Sequence, residues 1–216
     1  MRLKSSWLAW CGTMATLAFL TGCSDEPSLR ESSPIQWKAC DILFGSKNMT
    51  SLRDALGADD LRFTNKALSV DDLRKELTEE VVEWTPTAKY YSLKEYAPCN
   101  LSGATQFTST VEWAKDTLTA VQSSSSPWRH SGGDVYIDDS SSGQTWDTDV
   151  IFPCRVSGAV SAQQDRIPLE IRVRVGTAKV SSALHERMVV SLAQSLRVEL
   201  KCLNNPNIPS DLKIDR

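Results

Sequence analysis

Two histidines, a group of aspartates and a few aromatics are the side chains of this sequence whose types and spacing offer chemistry. His130 stands in Trp128-Arg129-His130-Ser131-Gly132-Gly133, a glycine-rich stretch expected to form an exposed loop before a hairpin. An imidazole there is a candidate general base, although a plain solvated loop is the favoured expectation. His185 precedes Glu186, but the zinc-protease pattern needs a second histidine four residues after the first, and position 189 is valine. His185 is therefore expected at the surface or at a helix cap. Asp134, Asp138, Asp139, Asp147 and Asp149 surround a polar stretch. Calcium takes about six to eight oxygens, yet the EF-hand spacing is missing and a solvated acidic turn is favoured. The sequence has no Gly-x-Ser-x-Gly elbow, Walker loop or dinucleotide glycine pattern, so no catalytic residue, metal or cofactor is assigned. Trp128 and Trp146 are expected in loops on either side of a strand. Exposed together with Arg129 and Tyr136 they would make a recognition patch, because Trp, Tyr and Arg dominate binding hot spots.

The amino terminus decides what the cysteines mean. Arg2 and Lys4 precede a mostly apolar run from Trp7 to Leu20. That run falls short of the roughly 20 residues a helix needs to span a bilayer, so it reads as the core of a signal peptide. Leu20-Thr21-Gly22-Cys23 follows and resembles the lipobox of bacterial lipoproteins. The resemblance implies a signal peptide over residues 1–22, diacylation of Cys23, and a protein anchored by lipid on the extracytoplasmic face of the bacterial cell membrane. Two acyl chains anchor stably where one does not. Residues 24–36 are polar with two prolines and are expected to form a flexible tether reaching about 20 Å. Residues 37–216 then make one extracytoplasmic domain.

Removing Arg2 and Lys4 with the signal leaves 22 basic residues against 27 acidic, a net charge of −5. An acidic surface argues against nucleic acid as a partner and against electrostatic adhesion to anionic lipid. With Cys11 cut away and Cys23 acylated, Cys40, Cys99, Cys154 and Cys202 remain, an even number in an exported chain, and so two disulfides. Three pairings are open. Cys40 with Cys99 and Cys154 with Cys202 is preferred, each bridge stapling one half of the domain. A Cys₄ metal site would want a short C-x-x-C clip, and none is present.

These groups must be positioned by a mixed set of elements. Trp37, Cys40, Ile42, Leu43 and Phe44 form an apolar cluster expected to dock on the core. Ser51 is read as capping a short helix over residues 52–56 that stops at Gly57, and Ser69 with Asp72 as starting another that carries Leu73, Leu77 and Val81. Phe107, Ser109, Val111 and Trp113 alternate as in a half-buried strand. Residues 134–138 and 149–152 are expected to pair as a hairpin with a long polar tip. Residues 167–175 alternate most clearly, with Leu169, Ile171, Val173 and Val175 against Glu170, Arg172 and Arg174. A final helix from Ser181 or Ser182 to about Leu203 carries Leu184, Met188, Leu192, Leu196 and Leu200 at every fourth residue. The expected class is α+β, an antiparallel sheet packed against a long C-terminal helix and stapled by two disulfides.

The lipobox, the polar tether, Trp37 with Cys40, Pro98-Cys99, the Phe152-Pro153-Cys154 strand end and a last helix ending in Cys202 together resemble the small exported lipoproteins of actinobacteria, over the whole mature chain. Many of these have no assigned activity, so the resemblance implies location and disulfides and brings no catalytic residue. Two readings follow. The first is a non-enzymatic binding or adaptor domain for an envelope protein or a cell-wall component. The alternative is a small-ligand-binding or hydrolytic domain with an acidic or His130-lined cleft.

Overall fold

The computed structural model describes residues 28–57, 61–86, 93–138, 145–176, 179–212 and 214. The signal segment 1–22, Cys23, residues 24–27 and Asp139 lie outside the described residues. The helices are α1 (Leu29–Ser32), α2 (Pro34–Phe44), α3 (Ser46–Leu56), α4 (Val70–Glu83), α5 (Leu118–Val121), α6 (Gln163–Arg166) and α7 (Ser182–Glu199). The strands are β1 (Arg62–Phe63), β2 (Leu101–Ser102), β3 (Gln106–Trp113), β4 (Arg129–Gly132), β5 (Val135–Asp138), β6 (Thr145–Phe152) and β7 (Leu169–Gly176). They form one sheet in the order β1-β2-β3-β7-β6-β5-β4, antiparallel throughout.

β7 is the centre of this sheet. It runs beside β3 from Phe107↔Val175 to Trp113↔Leu169, and beside β6 from Thr145↔Gly176 to Phe152↔Leu169. Its apolar positions are fully buried, as are Phe107, Val111 and Trp113 of β3 and Val150 and Phe152 of β6. These side chains share one face, because directly paired residues point the same way. The helices cover that face. α7 packs on β6 and β7, and α2 and α3 pack on α7, while α4 lies against β3. The buried positions of α7 include Leu184, Met188, Val189, Leu192, Ala193 and Leu196, and Ser181 starts the helix by accepting from the Leu184 amide at 3.2 Å. Ser69 caps α4 in the same way through the Asp72 amide at 3.1 Å. The two bridges are Cys40–Cys99 and Cys154–Cys202. The first ties α2 to the start of β2, and the second ties the end of β6 to the end of α7. The structure is therefore the α+β arrangement read from the sequence, with the sequential disulfide pairing.

Several local expectations are corrected. The flexible tether does not extend to residue 36, because the chain is helical from Leu29. Glu31 accepts from the Ser28 amide at 2.9 Å, Pro34 sits in the first turn of α2 where its missing N–H costs nothing, and Leu29 packs on the core. Ser51 caps nothing. α3 begins at Ser46, just after Gly45 turns the chain at φ +81°, and Ser51 donates back to the Lys47 carbonyl at 3.1 Å. Residues 129–132 are not a loop but the edge strand β4, paired with β5. β7 starts at Leu169, so Ile167 lies before it, and α7 ends at Glu199 rather than near Leu203. Ile42 is the exposed member of its cluster, at 39%.

After Cys202 the chain runs as a strap from the end of β6 to the β4–β5 turn. Asn204 donates to the Pro153 carbonyl at 2.9 Å and accepts from the Arg155 amide at 2.8 Å. Asp134 and Asn207 exchange two bonds: the Asp134 amide donates to the Asn207 carbonyl at 2.9 Å, and the Asn207 amide to the Asp134 carboxylate at 2.7 Å. Gly133, at φ +56° in the β4–β5 turn, lets the strap approach, since a Cβ there would stand 2.2 Å from the Asn207 carbonyl oxygen.

Two stability predictions follow from these constraints. Replacing Cys154 and Cys202 together by serine should lower the unfolding free energy by up to about 4 kcal/mol, measured by urea denaturation, because a loop of this length is released in the unfolded chain. Gly133→Ala should cost at least about 1 kcal/mol in the same assay, from the left-handed backbone alone. A variant as stable as the parent would show that neither the left-handed backbone nor the strap constrains that turn.

Candidate functional site

The face of the sheet opposite the helices is the candidate site. Its rows follow from the register. Thr108 pairs with Arg174 and Arg174 with Asp147. Thr110 pairs with Arg172, Arg172 with Asp149, and Asp149 with Asp138. Glu112 pairs with Glu170, Glu170 with Ile151, Ile151 with Tyr136, and Tyr136 with His130. Every strand from β3 to β5 thus contributes polar groups to one surface, because two-residue alternation leaves the polar half of each strand on the side the helices do not cover.

The charges on this face are matched. Arg172 grips Asp149 with two parallel bonds, from Nε to Oδ1 and from Nη2 to Oδ2 at 2.8 Å. Arg174 engages one oxygen of Asp147 through both Nε, at 2.8 Å, and Nη2. Forked pairing of this kind fixes both partners in orientation. Glu170 lies 3.9 Å from Arg172 and its side chain is only 16% exposed. Burial, reinforced by Glu112 and Asp149, raises its pKa to about 7, against the pull of Arg172. Burial also raises Glu112, while Lys115 and Arg172 lower it.

Next to Glu170, which pairs with Ile151, this face carries a small second core. Ala114, Val121 and Ile151 are enclosed there, with Trp128 and Tyr136 packed against them. α5 supplies Val121, and Thr117 caps it by accepting from the Ala120 amide at 3.2 Å. Gln122 donates to the Tyr136 hydroxyl at 2.9 Å, holding the ring in place.

The structure divides the four residues expected to form a recognition patch. Trp128 and Tyr136 belong to the outer face, each half-buried. Trp146 lies in β6 rather than in a loop, opposite Val175. It packs against the main core and donates from Nε1 to the Val180 carbonyl at 3.1 Å. Arg129 pairs with buried Ile137 and so shares that inner face. Alternation in β4 and β6 separates the two halves of the patch.

His130 is exposed on β4, not in a loop. Its Nε2 donates to the Gly133 carbonyl at 3.0 Å and its ring lies 5.2 Å from that of Tyr136. No carboxylate is bonded to it among the described residues, so the geometry provides no acid–base pair there. His185 is not at the surface: it is 1% exposed beneath the sheet, and its Nε2 shares a 2.9 Å hydrogen bond with the hydroxyl of buried Thr148. Asp134, Asp138, Asp147 and Asp149 do not together form a solvated turn either. Asp147 and Asp149 are in β6 with arginine partners, Asp138 faces Asp149, and Asp134 holds the strap. Among the described residues, no group of three or more His, Cys, Asp or Glu is placed to hold a metal ion. No helix among them is long and apolar enough to cross a membrane.

Sequence reasoning missed the paired arginines and Glu170 as a site. The alternation of residues 169–175 marked those side chains as pointing away from the core, but only the β6 partner shows what they meet. No protein-family model, curated protein or solved structure matches this chain.

The Glu170 carboxyl makes a pH-dependent prediction. Its pKa is about 7 in the fold, against an ordinary value of 4.5, so the folded chain binds the extra proton and loses stability as pH rises through that interval. The loss is of the order of 3 kcal/mol at most. Glu170→Gln should therefore match the parent near pH 4.5 and exceed it in stability above pH 7, read from urea denaturation at the two pH values. A constant difference would place the carboxyl in solvent.

Proposed function

We propose that this chain is a lipid-anchored lipoprotein of the bacterial cell envelope whose domain is a non-enzymatic binding module, presenting the outer sheet face to an envelope protein. The observation that carries the binding reading is the one-sided cover of the sheet. α4 and α7 lie against one face, and on the other, beside the small cluster that α5 joins, the arginines and aspartates are already locked to each other across strands. Long side chains held in this way lose little further freedom when a partner arrives, which lowers the ordering cost of association. Trp128 and Tyr136 border the charged rows and supply the aromatic area typical of binding hot spots. The anchoring reading is supported by the Leu20-Thr21-Gly22-Cys23 motif and by two disulfides, which persist in oxidising compartments outside the cytoplasm.

Two measurements test this. Palmitate labelling should tag the parent chain and not Cys23→Ala, which should leave the membrane fraction; label retained in the variant would reject the anchor. In-cell crosslinking with mass spectrometry should recover one specific envelope protein with the parent. Capture should fall at least tenfold with Thr108→Arg combined with Arg174→Glu, both on the outer face, and should survive Lys75→Glu on α4. Capture that is unaffected by the outer-face change would reject this surface as the interface.

A further inference from the structure

A cavity of about 300 Å³ opens at the end of the sheet where α4, α5 and α6 converge. That volume is at the lower end of the range for small-molecule pockets. Trp84, Leu93 and Ile167 form its apolar walls, and Lys115, Arg166 and Thr117 its polar side. Trp84 is fixed as the residue that ends α4, its amide donating to the Glu80 carbonyl at 3.1 Å, and its ring is 9% exposed. Ile167 is 5% exposed, held just before β7 by its amide bond to the Gln163 carbonyl at 2.9 Å. Trp84 and Ile167 are thus held by the backbone, and no wall residue belongs to the outer-face rows.

The polar side is cationic. Neither Lys115 nor Arg166 makes a salt bridge among the described residues, and no carboxylate is among the described residues that line the cavity. Lys115 attracts the carboxylate of Glu112 on the adjoining sheet face, and the residue is exposed. Two cations above an apolar floor repel a cationic ligand and favour an anion over its neutral counterpart, because hydrogen bonds between ionised partners are the stronger ones. We infer that this cavity binds a small amphipathic anion, its acidic head between Lys115 and Arg166 and its apolar body against Trp84, Leu93 and Ile167. The site is independent of the outer face and of the proposed protein partner, and differs from an acidic or His130-lined cleft in the sign of its charge.

The test is isothermal titration of the full chain in neutral-lipid nanodiscs with 2-naphthoate, the heat of empty nanodiscs being subtracted. Saturable binding to one site is expected, weakened at least tenfold by Lys115→Met combined with Arg166→Met. Both side chains are exposed, so the thermal unfolding of that variant should match the parent. Neutral 2-naphthol should bind at least tenfold more weakly than 2-naphthoate. Competition with decanoate separates a fatty-acid ligand from an aromatic acid, and either supports the assignment. No saturable heat, an affinity unchanged in the double variant, or equal displacement by inorganic phosphate would overturn it.

Discussion

Along β7, Leu169, Ile171, Val173 and Val175 are sealed against the helix layer while Arg172 and Arg174 meet the carboxylates of β6 and the threonines of β3, and Glu170 lies between Ile151 and Glu112. A slip of one residue would exchange the two sets, placing arginines in the core and valines beside Asp149. Both faces therefore define the same register, and the strand is paired along its whole length on each side. α7 gains its docking surface from this strand, and the two ion pairs gain their geometry from it. The rest of the domain is arranged around that alignment.

Covalent and polar ties then hold the layers together. Cys154–Cys202 connects the end of β6 to the end of α7, and Cys40–Cys99 connects α2 to the sheet near β2. Between the layers, the bond of His185 to Thr148 is a polar contact in an otherwise apolar interface. An unmatched polar group there would cost more than the bond itself contributes, so the pair favours one placement of α7 on β6 over its neighbours. The strap through Asn204 and Asn207 finishes the same job at the other edge, joining the chain after α7 to the β4–β5 turn.

The outer face shows a different balance. Its ion pairs are partly shielded rather than buried, so each contributes modestly to stability but substantially to order. Glu170 lies where this charged surface meets the small apolar cluster of Ile151, Val121 and Trp128, and its raised pKa reflects that boundary. The basic cavity lies at the end of the sheet, where Lys115 also faces the Glu112 end of these rows.

How much of this was legible beforehand depended on distance along the chain. The alternation of β7, the every-fourth-residue stripe of α7 and the serine caps at Ser69 and Ser181 are local patterns, imposed by the periods of strand and helix, and they were readable from the sequence alone. So was the expectation of two disulfides, because reading the chain as exported leaves Cys40, Cys99, Cys154 and Cys202, an even number, to pair. What Asp147, Asp149, Trp146 and His185 do was not readable, because each is defined by a partner between 23 and 37 positions away or by the parity of its strand. A histidine next to glutamate on a helix looks like a surface residue until the sheet beneath it is known. An aspartate beside a turn looks solvated until the opposing strand brings an arginine. Helix and strand period, capping and cysteine content were determined by the sequence itself. The facing of each strand and the pairing of each charge were decided only in the tertiary structure, where long-range register brings distant side chains within hydrogen-bonding reach.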